Sequence, residues 1–170
     1  MPARVLLASL LVLVTACTSP APQGEPLRAD GVRMVVPPGW EARLSATRAE
    51  GRNLVGWLAS VPLPAGCDPV DCDRPLARLA EGQMLVWWFS YNCLPDCELP
   101  DVGRTLIGGR EAAREVDADD CGIYARRREL ISVRVTPQRT DTLVACAGDG
   151  AALARAELDA LLGSIRWTVP

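Results

Sequence analysis

Apolar and polar positions alternate in short runs along most of this chain, a period of two that puts successive side chains on opposite faces of a strand. Val32-Arg33-Met34-Val35-Val36 reads as one such strand, stopped by Pro37-Pro38-Gly39 ahead of Trp40, because proline fixes φ and denies the ladder a donor. Residues 41–47 predict a second short strand, and residues 54–61 a buried third ended by Pro62 and Pro64. The strongest run is Met84-Leu85-Val86-Trp87-Trp88-Phe89-Ser90-Tyr91. Leu85, Trp87, Phe89 and Tyr91 share one face of it and Met84, Val86 and Trp88 the other, and both are apolar. Such a strand belongs centrally in a sheet, or else leaves aromatic surface for something to bind; Trp87 and Trp88 are the candidate binding residues.

Further on, residues 105–110 and 111–116 predict a strand, a bulge or tight turn at Gly108-Gly109, and a continuation. Ile131, Val133 and Val135 alternate with Ser132 and Arg134, and a Pro137 turn leads to Thr142-Leu143-Val144-Ala145-Cys146, a hairpin with a loop of moderate length. The period then changes. Leu158, Leu161, Leu162 and Ile165 follow helical spacing, with Asp149 placed to cap the start and Gly163 near the end. Arg166-Trp167-Thr168-Val169 forms an extended tail, and residues 73–82 predict one short helix in the first half, with Pro75 early and Gly82 as its stop.

The N-terminus follows another rule. Residues 5–16 are almost continuously apolar behind the single charge of Arg4, a secretory pattern. At about 1.5 Å per residue they reach only ~18 Å of the ~30 Å hydrocarbon core. Val14-Thr15-Ala16-Cys17 resembles the bacterial lipobox. That resemblance implies a thiol acylated at Cys17, removal of residues 1–16, and attachment at the extracytoplasmic face of the cell membrane. One acyl chain gives marginal attachment and two hold stably, since each buried CH₂ contributes about 0.8 kcal/mol. Residues 17–30, with Pro20, Pro22, Gly24 and Pro26, predict a flexible linker, and residues 31–170 one α+β domain: a twisted, mainly antiparallel sheet with a C-terminal helix packed on it.

Composition supports that address. The 18 basic residues are all Arg, as GC-rich coding favours, and they face 21 acidic ones; removing Arg4 leaves 17 against 21. A phosphate-seeking surface for nucleic acid is not expected from that balance. With Cys17 assigned to lipid, Cys67, Cys72, Cys93, Cys97, Cys121 and Cys146 remain, an even number in a compartment where disulfides persist. Cys121 and Cys146 lie in or beside strands of one β-rich segment and form the favoured bridge. The other four close locally as Cys67–Cys72 and Cys93–Cys97, or cross-link their two loops.

Candidate chemistry narrows more by exclusion. The Cys-x4-Cys and Cys-x3-Cys spacings are not those of structural zinc sites, and no histidine completes a mixed set, so neither a metal nor a cofactor is expected. Asp117-Ala118-Asp119-Asp120 lacks the glycine and terminal glutamate of a calcium loop and reads as a solvated acidic loop. Arg126-Arg127-Arg128 reads as a charged turn. Without histidine the usual general base is missing, and oxidised cysteines are not nucleophiles, so no catalytic residue is assigned. A binding domain for an unknown protein comes first, a carrier of an apolar ligand or lipid second, and a carboxylate hydrolase third.

One more resemblance rests on the order of these segments. Pro38-Gly39-Trp40 after the first strand, the central apolar strand, Gly108-Gly109-Arg110-Glu111-Ala112, the strand pair and a helix ending Gly163-Ser164-Ile165-Arg166-Trp167 are similar to small lipoproteins and secreted domains of the Mog1/PsbP-like type. The likeness covers residues 30–169. It implies a twisted antiparallel sheet with packed helices in a family whose members mostly bind partners or have no known activity, with no catalytic residue to carry over. The four loop cysteines and the scarcity of helix in the first half depart from that pattern.

Overall fold

The computed structural model describes residues 24–45, 53–67, 69, 72, 75–117, 121, 124 and 127–168. The signal segment, Cys17, the acidic run at residues 118–120 and Arg126 lie outside them. The strands are β1 (Glu25–Ala29), β2 (Val32–Val36), β3 (Glu41–Leu44), β4 (Leu54–Ala59), β5 (Met84–Asn92), β6 (Arg104–Ile107), β7 (Arg110–Asp117), β8 (Arg127–Thr136), β9 (Arg139–Ala147) and β10 (Arg166–Trp167), with helix α1 (Ala152–Ser164) between β9 and β10. The class is α+β, and the strand pairs are antiparallel.

Two sheets form where the sequence suggested one. Seven strands run in the order β3-β4-β5-β9-β8-β7-β6, with β5 in the interior, and β1-β2-β10 make a separate three-stranded sheet. Alternation in β2 explains the second sheet: Val32, Met34 and Val36 turn inward and join Leu58, Met84, Val86, Trp88, Ile131, Val133 and Leu143 in the main core. Leu158, Leu161, Leu162 and Ile165 from α1 and its cap enter the same core. One face of the large sheet is therefore covered by the helix and the small sheet together. The helical stripe buries where its spacing placed it.

Several expectations are corrected. Glu25–Ala29, assigned to the linker, pairs with β2 from Glu25↔Val36 to Ala29↔Val32; Leu27 and Ala29 supply enough apolar contact with the core to hold it. Residues 75–82 are not helical. The Leu79 amide donates to the Tyr124 carbonyl and the Gly82 amide to the Asp149 carbonyl, so the backbone is satisfied across the fold, not along a helix. Asp149 does not cap α1, whose N-cap is Ala151 with no side-chain bond; Gly150 turns the chain between them at φ 66°. The β8–β9 loop is not of moderate length: Thr136 pairs with Arg139, leaving Pro137-Gln138 as the turn, with a register shift between Arg134 and Thr136. Gly108 and Gly109, at φ 57° and 81°, form the two-residue turn of the β6–β7 hairpin, the backbone that a tight hairpin demands.

Candidate functional site

The far face of the large sheet is built from the side chains of β5 that point away from α1. In register across the strands, Trp57, Trp87, Val144 and Leu130 form one row, and Leu54, Phe89, Thr142 and Ser132 the next. Tyr91 stands opposite Thr140 in the row beyond. One end of this face is covered. Leu63, Cys67, Leu79 and Tyr124 close over Trp57, Ala59, Leu85 and Cys146 as a second core.

That cover is irregular backbone, and it is fixed by staples in place of secondary structure. Cys67–Cys72 and Cys121–Cys146 have Cα separations of 5.2 and 5.7 Å, and the second ties the segment bearing Tyr124 to β9. Cys93–Cys97, at 5.1 Å, closes the loop after β5. Cys121–Cys146 is the bridge the sequence favoured, and the two local closures are one of the two arrangements it left open. Arg43 on β3 donates to the carbonyls of Leu63, Pro64 and Cys67, while Glu41 accepts from the Leu63 amide at 2.8 Å. That amide, with help from Arg43 and against some burial, holds the Glu41 carboxyl below its usual range.

Past the cover the face opens. Trp87 is half-buried and meets Tyr124 edge-on, ring centroids 5.2 Å apart. Phe89 is half-buried and stacks on Tyr91 at 5.9 Å. Tyr91 is 38% exposed, and burial of the remainder raises its phenol above the ordinary value. With Val144 and Leu130, also half-buried, these rings make a continuous apolar strip running out from the second core.

Trp88 is not part of the strip. It points the other way, is 1% exposed, and its indole donates to Asp141 at 3.0 Å. Its candidacy for ligand contact is withdrawn: alternation sends it into the main core. The residues that accompany Trp87 at the surface are Phe89 and Tyr91, and the alternation noted above already placed them on its face.

Two buried acids escaped the sequence reading because neither sits in a motif. Asp141, fully buried, is held by Arg139 and by the Trp88 indole. Burial raises its pKa, with Arg139, Trp88 and Ser90 opposing. Arg139 also grips Asp30 in the β1–β2 turn, so the cluster fastens the small sheet to the large one. Glu129, 3% exposed, takes Arg114 from β7 and Arg155 from α1, and Arg114 reaches Asp159 at 2.6 Å. Each carboxylate is neutralised and enclosed by protein, which suits a structural tie and not contact with a substrate.

A groove of about 620 Å³ separates the β6–β7 hairpin from α1, lined in part by Leu106, Val116, Asp159 and Leu162. Among the described residues no set of three metal-ligating side chains converges, and no helix is long and apolar enough to cross a membrane. Three disulfides fit an oxidising, extracytoplasmic compartment. No family model and no curated protein matches the chain. A crystal structure from Bacteroides thetaiotaomicron VPI-5482 is similar over 85% of this chain and 48% of its own, at 13% identity and a TM-score of 0.44. The chain thus spans about half the length of that protein.

Proposed function

We propose that this is a lipid-anchored extracytoplasmic lipoprotein whose domain binds a partner protein without catalysis. The observation that carries the reading is the strip of Trp87, Phe89 and Tyr91, which leaves a disulfide-stapled core, where Trp87 meets Tyr124 edge-on, and reaches the surface at the stacked pair Phe89 and Tyr91. Aromatic side chains offer large contact area at small entropic cost, which is why they dominate the centres of interfaces. The lipobox-like Val14-Thr15-Ala16-Cys17 supports the anchor, and the disulfides support the compartment. The element order and the α1–β10 ending support the Mog1/PsbP-like assignment.

A photo-crosslinking residue at position 91, with a second chain labelled at exposed Leu153 on α1 as control, tests the interaction. The reading expects adducts in native membranes from position 91 and none from position 153. Equal labelling from both, or none from 91, contradicts it.

Carriage of a small apolar ligand is the second reading, favoured by one observation. The indole nitrogen of Trp57 is buried in the second core and has no hydrogen-bond partner among the described residues. A ligand acceptor would satisfy it. Native mass spectrometry of protein taken from its own membrane would show the adduct.

A further inference from the structure

The outward face of the small sheet carries a row of like charges. Arg28 of β1 stands opposite Arg33 of β2, and Arg33 stands opposite Arg166 of β10. All three are exposed, because alternation commits Leu27, Met34 and Trp167 to the core side. Among the described residues none of the three is paired with a carboxylate; Arg166 donates only to the carbonyls of Gly163 and Ile165. Arg28 and Arg33 also line a recess of about 530 Å³ with Ala29, Gly31 and Thr168. The acid in that recess, Asp30, is occupied by Arg139.

Like charges directly opposite one another destabilise a strand pair. Here two such pairs are adjacent in a chain with more acids than bases. An apposed anionic surface removes that repulsion. The position of the row indicates which surface: β1 begins at Glu25, eight residues after Cys17, and eight residues span at most about 28 Å. On the lipoprotein reading, the tether therefore enters the domain through the sheet bearing the arginines.

We propose that Arg28, Arg33 and Arg166 form the membrane-facing surface of the domain and bind the phosphates of anionic phospholipids in the bilayer that carries the anchor. This rests on the lipoprotein reading for its choice of membrane. It turns the domain so that one face lies on the headgroups, a fixed orientation that a flexible tether alone does not provide.

The test uses the processed chain, residues 17–170 with Cys17→Ser, which contains every described element and no acyl group. Flotation with phosphatidylcholine vesicles is compared with flotation on vesicles containing phosphatidylglycerol. The expected result is salt-sensitive binding to the anionic vesicles only, weakened about fivefold by each of Arg28→Gln, Arg33→Gln and Arg166→Gln and roughly a hundredfold by the three together. Circular dichroism checks that the variants stay folded, as exposed positions should. Equal binding to both vesicle types, or indifference to the triple substitution, overturns the proposal. So does displacement by millimolar inorganic phosphate, which would mark a site for the free ion. Acylation of the native protein is read separately by mass, so failure of one reading leaves the other legible.

Discussion

Arg139 Nη2 lies 2.9 Å from the Asp141 carboxylate, two residues along the same strand, and the same nitrogen holds Asp30 in the β1–β2 turn. That contact ties the β1–β2 turn of the small sheet to β9 of the large one. Breaking a buried pair by deleting one partner costs about 3 to 5 kcal/mol, since the survivor is left as an uncompensated charge. Arg139→Ala should therefore lower the stability of the domain by about that amount in urea titration.

Asp141 also gives a pH dependence. Burial lifts its folded pKa above the ordinary 3.8, so the folded chain keeps this proton to higher pH than the unfolded chain. The contribution is complete below 3.8 and is lost as pH rises through the folded value. Stability of the native chain relative to Asp141→Asn should accordingly fall as pH rises above 3.8; a difference that does not change with pH would refute the assignment.

Glu41 works in the opposite sense. The Leu63 amide depresses its pKa below 4.5, so its contribution is present above 4.5 and is lost as pH falls through the folded value. Glu41→Gln should flatten the acid side of the stability profile. The effect is small, because the side chain is 37% exposed.

The disulfides should be unequal. Cys121–Cys146 closes a span of 25 residues and Cys93–Cys97 one of 4, which on loop-closure entropy corresponds to about 3.5 against about 2 kcal/mol. Paired serine replacements, compared by chemical denaturation, should rank in that order.

At the β6–β7 turn the two glycines differ in what surrounds them. A Cβ on Gly108 would fall 2.7 Å from the Ile165 carbonyl and from the Trp167 indole nitrogen, whereas one on Gly109 meets nothing within 4 Å. Both have positive φ, so alanine strains either. Gly108→Ala should cost the more, by thermal melt, and also disturb the seating of β10.

What was legible in the residues follows a physical line. Period-two alternation in β5, β8 and β9 and the Leu158, Leu161, Leu162 and Ile165 stripe fixed which side chains enter the core, because burial of apolar faces is a local pattern. Separation of β1-β2-β10 into its own sheet was not legible, since it depends on long-range pairing of Arg33 with Arg166. The missing helix near residue 79 has the same origin: propensity and a plausible stop were overruled by backbone bonds to Tyr124 and Asp149. At the candidate site, the face containing Trp87, Phe89 and Tyr91 was readable from alternation. Asp141 and Glu129 were not, because an ionised side chain at a strand position looks exposed until its arginines arrive from other elements.

Intact-mass measurement of the protein extracted from its own membrane, before and after reduction, bears most directly on the account. A chain beginning at Cys17 and carrying diacylglycerol, closed until reductant adds about six hydrogens, is the expected result. An unacylated chain that keeps residues 1–16 and gains nothing on reduction would contradict it.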